Sequence, residues 1–423
     1  MREMKDSGIE WVGKIPKEWG IVKFKYLHNG LNTGEAIDKE YWESDAGLNA
    51  FYTAGLTPIR TGYSNFPTWK ETGENDLLLA RNGTPYVYLP VSKAYYTDHI
   101  IRAAMSSLVN RRFIRYCLQQ SIASIAVDSV SIPTWSATLW NNQILTWPSV
   151  IEQERIAAFL DAECAEIDAV LEKTRASIEE YKKLKQAVIT QAVTKGIRGD
   201  RPMKDSGIEW IGDIPAEWDV VRQKYFWNTV ESGVSVNAAD KPVDNSEQYG
   251  VLKTSAVSKF VFIPTEHKQV NLEEYGRVSC PVRADSIIAS RMNTPELVGA
   301  CGYVQNNYPN LFLPDRLWQI TFKDGLSPKY AWYYLSGIRV RQYISSLSTG
   351  TSSSMQNISQ SQYGNIFITI PSIGEQSEIT KYLDEKCRSV DALVTKKQQY
   401  LTEIENYKKS LIYEYVTGKK GVV

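Results

Sequence analysis

The sequence predicts a mixed α/β protein in which two globular domains are separated by a long antiparallel two-helix coiled coil, with pseudo-two-fold symmetry. Two internal repeats and a sustained heptad pattern support this prediction. The segment MKDSGIEWVGKIPKEW at 4–19 returns as MKDSGIEWIGDIPAEW at 203–218, with thirteen of sixteen positions identical. A second segment, 148–194, aligns without gaps on 371–417, at a spacing of 223 instead of 199 residues. Each half therefore consists of a short motif, a variable block and a helical block.

The two repeated blocks that begin at Pro148 and Pro371 predict long helices. Each block opens with Pro and Ser followed by Glu-Gln, so helices should begin near residues 150 and 373. Positions that alternate in steps of four and three then form a heptad seam, in which eight of ten positions are apolar in each block. Helices of about 45 residues would be roughly 65 to 70 Å long. The seam positions are Leu160, Cys164, Ile167, Leu171, Thr174, Ile178, Tyr181, Lys185, Val188 and Ala192, and then Leu383, Cys387, Val390, Val394, Lys397, Leu401, Ile404, Lys408, Leu411 and Tyr415.

We expect these two helices to pack on each other, because neither would be stable with an exposed apolar seam. The first helix leads to the second variable block and the second helix must return, so the pair should be antiparallel. The polar seam positions Thr174, Lys185, Lys397 and Lys408 should fix the register at some cost in stability. The apolar residues expected to face each other are Leu160, Ile167, Leu171, Ile178 and Val188 on one helix and Leu383, Val390, Val394, Leu401 and Leu411 on the other.

The variable blocks, 20–147 and 219–370, contain short runs of Tyr, Trp, Thr, Val and Ile broken by Gly, Pro and Asn, which predict strands in mixed α/β domains. One run in each block, 76–85 and 285–295, should be a strand that ends in a loop. One helix is expected in each block, at 111–125 and at 329–346. The predicted divisions are a first globular domain at 1–149, a helix at 150–200, a second globular domain at 201–371 and a helix at 372–423.

Composition limits the class of protein. The 48 basic and 48 acidic residues leave no net charge, so any binding to nucleic acid must be local. Five cysteines without a CxxC pair argue against a disulfide framework or a zinc cluster and fit a reducing cytoplasm. A charged N-terminus and the lack of a long apolar run predict a protein that is neither exported nor membrane-spanning. No phosphate-binding, hydrolase, metalloprotease or base-methyltransferase motif occurs, and His28, His99 and His267 form no partner pattern.

The loops after the apolar runs hold the best candidates for binding. Arg can contact guanine bidentately, Asn can do the same with adenine, and basic residues on helices can contact phosphates. Arg115 and the hydroxyl-rich run 348–354 are further candidates. Ordinary turns, a solvated helix face and unstructured surface remain open as alternatives for these three kinds of feature. The candidate residues are Arg60, Thr61, Arg81, Asn82, Thr84, Arg111 and Arg112 in the first block, and Lys253, Thr254, Ser255, Arg291, Asn293, Thr294, Arg339 and Arg341 in the second.

The complete layout resembles the specificity subunit of type I restriction-modification systems. The resemblance rests on the opening DSGIEWIGDIPAEW, the helix entries PSVIEQ and PSIGEQ, and the closing AVTKG and YVTGK. It covers the full chain in the family's order of target domain, helix, target domain, helix. It implies that each globular domain reads one half of a split double-stranded DNA sequence, and that the helices set the distance between the halves.

The same resemblance implies partners for a phage-defence complex. Two modification subunits would carry the adenine methylation chemistry, and restriction subunits would join them. S-adenosylmethionine, ATP and Mg would then lie on those partner subunits, with no cofactor in this non-catalytic chain. The first block is 24 residues shorter than the second, so loop-for-loop transfer between them is unsafe.

Two other interpretations remain. A coiled-coil scaffold whose end domains bind proteins would have no affinity for a split DNA site when the modification subunit is present. An unrecognised enzyme is disfavoured, because no nucleophile, metal cluster or phosphate-binding loop occurs in both halves. A neighbouring gene for an adenine methyltransferase would favour the specificity subunit.

Overall fold

The computed structural model describes residues 2–42, 47, 49–53, 55, 57–125, 134–352 and 355–422. The chain forms two compact units, one of Met1–Arg175 with Gln399–Val423 and one of Ala176–Gln398. Each unit combines short strands with helices, which confirms the predicted mixed α/β class. Among the described residues, no helix has the length and apolar character that crossing a membrane requires.

Short elements make up most of each half of the chain, and each half ends in one long helix. The first half contains β1 (Met4–Asp6), β2 (Lys14–Pro16), β3 (Gly20–Lys23), β4 (His28–Thr33), β5 (Asn49–Tyr52), β6 (Ile59–Thr61), β7 (Asp76–Ala80), β8 (Val87–Tyr88), β9 (Ala94–Tyr96), β10 (Ile100–Met105), α1 (Arg111–Ala123), α2 (Ala137–Asn141), β11 (Ile144–Trp147) and α3 (Val150–Lys195). The second half contains β12 (Met203–Asp205), β13 (Asp213–Pro215), β14 (Asp219–Arg222), β15 (Trp227–Ser232), β16 (Ala238–Ala239), β17 (Gly250–Leu252), β18 (His267–Val270), β19 (Pro281–Val282), β20 (Ser286–Ser290), β21 (Met292–Asn293), β22 (Cys301–Val304), β23 (Tyr308–Phe312), β24 (Leu317–Phe322), α4 (Pro328–Leu335), α5 (Ile338–Leu347), β25 (Thr349–Ser352), β26 (Met355–Asn357), α6 (Gln360–Gly364), β27 (Phe367–Ile370) and α7 (Ile373–Val416).

The first unit is built on an antiparallel sheet in the order β4-β10-β7-β8. All five residues of β7 are buried, and Leu77 and Leu79 join Phe113 of helix α1 in the core. A smaller sheet, β6-β5-β9, pairs β5 with β9 in parallel. The end of β7 leads into residues 81–84 at one end of the main sheet, as the sequence predicts.

The second unit has a corresponding antiparallel sheet in the order β15-β24-β20-β22, with β20 completely buried. It also has a five-stranded sheet, β16-β18-β17-β23-β19, and a three-stranded sheet, β21-β26-β25. The prediction of one helix at 329–346 is wrong, because the chain forms α4 and α5 there. Ser336 caps the end of α4 and Gly337 has an extended backbone, with φ −66° and ψ 140°, so the helix stops and restarts.

Helices α3 and α7 begin at Val150 and Ile373, where the Pro-Ser signals predict them. All twenty seam positions are buried or half-buried, and Leu160 and Leu383 are completely inaccessible to solvent. The heptad seam is therefore confirmed. Gly196 and Gly418 follow the helix ends with φ of +75° and +70°, a backbone conformation that glycine adopts at little cost.

The two long helices run antiparallel where they meet inside each unit. As residue numbers rise along α3, the numbers of the α7 residues that they contact fall. The predicted antiparallel pair is therefore confirmed. The contacts that establish the direction are Asp168–Lys408 and Arg175–Glu405 in the first unit, and Tyr181–Lys397 and Lys185–Asp391 in the second.

The repeated opening motif folds into the same hairpin in both units, β1–β2 in one and β12–β13 in the other. The last tryptophan of each motif is buried, and its Nε1 donates to a glutamate in the first turn of the long helix. The Nη1 atom of an arginine lies 2.6 Å from the same carboxylate in each unit. The motif is therefore a joint between hairpin and helix. The joints are Arg2, Trp19 and Glu152 in the first unit and Arg201, Trp218 and Glu375 in the second, with both Trp–Glu bonds 2.9 Å long.

In each unit, a strand also bonds to the end of the other long helix. Thr146 of β11 donates from Oγ1 to the carbonyl of Val416 in the last turn of α7, at 2.5 Å. Thr369 of β27 donates to the carbonyl of Val193 in α3, at 2.6 Å. Each unit therefore contains the start of one long helix and the end of the other, which explains why the repeats occur where they do.

Candidate nucleic-acid interface

The loop after β7 is anchored through its backbone and presents its side chains outward. The Arg81 amide donates to the carbonyl of His99 at 2.9 Å, and the Arg81 carbonyl accepts from the Trp135 amide at 2.6 Å. Gly83 has φ +74°, and its carbonyl accepts from Trp135 Nε1 at 2.6 Å. The Arg81 side chain is exposed, with one contact of 3.4 Å from Nη1 to the carbonyl of Asp98. A fixed backbone with an exposed guanidinium suits recognition of a base edge or a phosphate.

Two further candidates in this loop differ in how strongly the protein engages them. Asn82 is half-buried and its Nδ2 lies 2.9 Å from His99 Nδ1, so the amide is partly used within the protein. Asn82 also pairs with Thr134 as an isolated β-bridge. Thr84 is exposed. The loop thus presents Arg81 and Thr84 to solvent and uses Asn82 to hold its shape.

The loop after β20 has the same backbone anchorage in the second unit. The Arg291 amide donates to the carbonyl of Arg316, and the Arg291 carbonyl accepts from the Ile358 amide, both at 3.0 Å. The next residues form strand β21, which pairs with β26 and so lies in one sheet with β25. Asn293 Oδ1 accepts from the amide of Thr294 at 2.9 Å, and Thr294 is exposed.

The sequence predicts that the hydroxyl-rich run 348–354 is a flexible loop and a candidate for phosphate contact, with unstructured surface as the alternative. Residues Thr349–Ser352 instead form strand β25 beside the Arg291 loop. Ser353 and Ser354 lie outside the described residues. The sequence does not predict that these segments are neighbours, because β26 pairs with both β21 and β25, which are nearly sixty residues apart in the chain.

The second pair of candidate segments is largely engaged inside the protein. Arg60 is exposed, but Thr61 is inaccessible and its Oγ1 donates to the carbonyl of Tyr41 at 2.6 Å. The expectation that Thr61 contacts DNA is therefore wrong. In a three-residue strand, alternate side chains point to opposite faces, and Thr61 has the inward position.

The equivalent segment of the second unit is also partly engaged. Lys253 Nζ lies 3.5 Å from Asp240 Oδ1, and Ser255 Oγ donates to Glu266 Oε2 at 2.6 Å. All three candidates, Lys253, Thr254 and Ser255, are half-buried. Ser255 therefore anchors the segment to Glu266, and Lys253 is paired with Asp240.

The arginines of α1 hold the helix in place. Arg112 Nη1 and Arg115 Nη2 lie 3.0 and 3.3 Å from the carboxylate of Asp161 in α3, which also accepts from Tyr116 at 2.8 Å. Asp384 binds Lys329 and Tyr333 in the same way in the second unit. Arg111 donates to the carbonyl of Asp76 at 3.0 Å, and burial lowers its pKa. The structure replaces the expected phosphate contacts of Arg111 and Arg112 with internal ones.

The expectation that Arg341 contacts a phosphate is wrong. Its side chain is buried, and its Nη2 donates to the carbonyls of Glu296 and Val298 at 3.1 and 2.6 Å. The guanidinium lies 4.9 Å from the ring centroid of Phe260, and burial lowers its pKa. A guanidinium in this position cannot reach a phosphate. Arg339, on the opposite side of α5, is exposed.

The five cysteine thiols are buried or half-buried. Burial raises the pKa of Cys117 to about 12 and that of Cys280, Cys301 and Cys387 to about 11, so these thiols are protonated at neutral pH. Burial also raises the pKa of Cys164. Within the part of the chain that the structure describes, no group of three or more His, Cys, Asp or Glu is placed to hold a metal ion.

One set of residues close to Arg81 is not predicted from the sequence. Trp69, Lys70, Asn32 and Thr33 line a cleft with that arginine. The segment around Trp69 has no periodicity and no repeat partner, so the sequence contained no signal that would bring it to the loop.

This chain is similar to known proteins in both sequence and fold. Residues 215–405 match the family described as the type I restriction modification DNA specificity domain. The chain is 24% identical to the type I restriction enzyme MjaVIII specificity subunit of Methanocaldococcus jannaschii, over 96% of this chain and 94% of that protein. It is also 24% identical to the EcoEI specificity subunit of Escherichia coli, over 44% of this chain and 32% of that protein.

A solved structure that concerns complex assembly and conformational transition of the type I R-M system contains a chain of similar fold. The TM-score is 0.66 at 16% identity, over 96% of this chain and 99% of that one. The family match covers most of the second half, and the MjaVIII similarity and the shared fold extend through the first. Residues 215–405 therefore match the type I restriction modification DNA specificity domain, and nearly the whole chain is similar in sequence to a type I restriction enzyme specificity subunit.

Proposed function

We propose that this chain is the non-catalytic subunit that recognises a bipartite double-stranded DNA target, one half-site per unit, for adenine methylation or cleavage by partner subunits. Residues 1–149 and 201–371 would be the two target-recognition domains, and residues 150–200 and 372–423 the helices that join them. Two modification subunits and the restriction subunits would supply the chemistry, with their S-adenosylmethionine, ATP and Mg.

The observation that carries this proposal is a pair of equivalent loops with different side chains. Arg81 and Arg291 follow buried central strands, and each is anchored through its amide and its carbonyl in the same manner. The next residues differ, Asn-Gly-Thr in one loop and Met-Asn-Thr in the other. A constant backbone scaffold with different side chains at equivalent loop positions is what two readers of different base sequences require.

The proposal is tested by expressing the chain with its modification subunits in a host without this system and sequencing the methylome. We expect one new split adenine-methylation motif with an unspecified spacer. A continuous motif, or no new motif when the complex is assembled, would contradict the proposal and leave the protein-binding scaffold as the better interpretation.

The contribution of each loop is tested by single substitutions. Arg81→Ala and Arg291→Ala should each relax or weaken recognition of a different half of the motif, by about 1 to 3 kcal/mol if the guanidinium contacts a base bidentately. A phosphate contact would instead weaken binding to all sequences and reduce its salt dependence. An unchanged motif and rate in both variants would exclude these loops as readers.

The spacer between half-sites is tested through the helices. Four residues inserted after Ser177, about one helical turn, should lengthen the unspecified spacer and leave both half-sites unchanged. A methylated motif that keeps its original spacer would show that the helices do not determine the distance.

A further inference from the structure

A cleft of about 560 Å³ opens beside Arg81 in the first unit. Its walls come from five separate parts of the chain, namely the end of β4, the short 3-10 helix Thr68–Lys70, the Arg81 loop, the start of β10 and the segment that leads into α2. Leu31, Ile101 and Ala137 contribute apolar surface to it, whereas Thr33 and Ser136 contribute hydroxyls. The cleft is therefore assembled by the fold next to the strongest candidate for DNA contact.

Trp69 gives this cleft its chemical character. The indole is 61% exposed, and no other tryptophan of the described residues is exposed. Its neighbour Lys70 is fixed, because Nζ donates to the carbonyl of Gly34 at 3.0 Å and lies 2.5 Å from Glu35 Oε1. The Lys70 Nζ also lies 4.9 Å from the Trp69 ring centroid. The ring is thus presented to solvent from a fixed support.

The charge of the cleft favours an anionic ligand. Among the described residues, no acidic side chain lines it. The Arg81 guanidinium does line it, whereas the charge of Lys70 is paired with Glu35. These groups together match one nucleotide. The ring face suits the flat base or the apolar face of the sugar, and the guanidinium and hydroxyls suit the anionic phosphate. Proteins that bind single-stranded nucleic acids combine aromatic side chains with a basic groove to hold nucleotides in this way.

We infer that this cleft binds one nucleotide unit of the duplex read by the first unit, with Trp69 against its base or deoxyribose and Arg81 against its phosphate or base edge. The inference rests on the proposed function and adds a ligand-contacting residue, Trp69, to the first half-site. A protein ligand in the same cleft is the competing possibility, and the experiment distinguishes it.

The test uses the full chain assembled with its modification subunits and a labelled duplex that carries the motif found by methylome sequencing. Trp69→Ala should weaken binding about tenfold, within the range typical of a lost aromatic contact to a nucleotide, and Trp69→Phe should retain most of the affinity. Leu108→Ala is the control, because Leu108 is 76% exposed in the same unit and follows the far end of β10. We expect Leu108→Ala to bind like the wild type.

Two comparisons make the result decisive. The loss in Trp69→Ala should disappear when the first half-site is scrambled and persist when the second is scrambled. DNA-induced quenching of tryptophan fluorescence should be reduced in Trp69→Phe. Wild-type affinity in Trp69→Ala, with the wild type still selecting its motif, would overturn this inference alone. Failure of the wild type to select the motif over random duplex would overturn the proposed function.

Discussion

Lys185 of α3 donates from Nζ to both carboxylate oxygens of Asp391 in α7, at 2.8 and 2.7 Å. The repeat places an equivalent pair in the first unit, where the lysine lies on α7 and the aspartate on α3. Lys408 Nζ donates to both carboxylate oxygens of Asp168, at 2.6 and 2.7 Å. Both lysines occupy polar positions of the heptad seam, where they were predicted to fix the register. A shift of one helix along the other would remove each carboxylate from its lysine and leave the ammonium beside apolar residues, so the two pairs select one alignment.

Reversal of one pair should reveal its contribution. Lys185→Glu places two carboxylates together and should lower the free energy of unfolding by about 0.5 to 1 kcal/mol, since both side chains are partly exposed. Adding Asp391→Lys should restore most of the loss. Urea denaturation of both single variants and the double variant gives the coupling energy, and strictly additive effects would show that the pair does not interact.

A charge in the apolar part of the seam should be more damaging. Leu171 is 4% exposed, so Leu171→Asp buries an unpaired carboxylate and should destabilise the first unit by several kcal/mol, roughly 3 to 5. Ala169→Asp, at an exposed position of the same helix in the same unit, is the matched control and should cost less than about 1 kcal/mol. Equal melting temperatures for the two variants would contradict the helix pairing.

The two hairpin–helix joints offer a matched comparison. The Glu375 side chain is 4% exposed and that of its partner Arg201 is 11% exposed, whereas Glu152 and Arg2 are 20% and 44% exposed. Glu375→Ala should therefore leave the nearly buried Arg201 with only the exposed Glu217 as an acidic partner, and the buried Trp218 Nε1 without its acceptor. We expect a cost of about 2 to 3 kcal/mol, and about 1 kcal/mol for Glu152→Ala. Hydrogen exchange of each hairpin measures the local loss. A larger effect from Glu152→Ala would mean that burial does not govern the strength of these joints.

Arg341 should act on DNA recognition through the protein. Its guanidinium holds the carbonyls of Glu296 and Val298, just beyond the Arg291 loop. Arg341→Met also removes a buried charge, so we expect a change in stability within about 1 kcal/mol but about tenfold weaker selection of the second half-site. Selection of the first half-site should be unchanged.

The salt dependence of binding separates this role from a phosphate contact. A phosphate contact by Arg341 would reduce the slope of log K against log salt by about one in Arg341→Met, whereas a positioning role leaves the slope unchanged. Binding titrations at several salt concentrations supply this measurement. A reduced slope would show that Arg341 reaches the DNA in the complex.

Periodic and repeated features were predicted well from the sequence. The starts of α3 and α7, their buried seam and the loops after β7 and β20 each depend on local signals that recur along the chain. Such features need no knowledge of which distant segments meet. The heptad seam, for example, fixes its buried face through spacing alone.

The individual binding candidates were harder to predict, because residue type does not reveal which way a polar side chain points. Thr61 and Arg341 are chemically suited to DNA contact, yet both are buried and bonded to backbone carbonyls. Arg341 lies between Val340 and Ile344 on the inner side of α5, a helix that the sequence joined wrongly to α4. The cleft beside Trp69 depends on five separated segments, and no local pattern encodes their meeting.

The most direct test of the central claim, that each unit reads its own half-site, is a block exchange followed by methylome sequencing. Residues 20–147 are replaced by the matching block of a related specificity subunit whose motif is known, while the repeated frame and the second unit are retained. The predicted result is a motif in which one half changes to that of the donor and the other half stays the same. A motif in which both halves change, or neither does, would contradict the account.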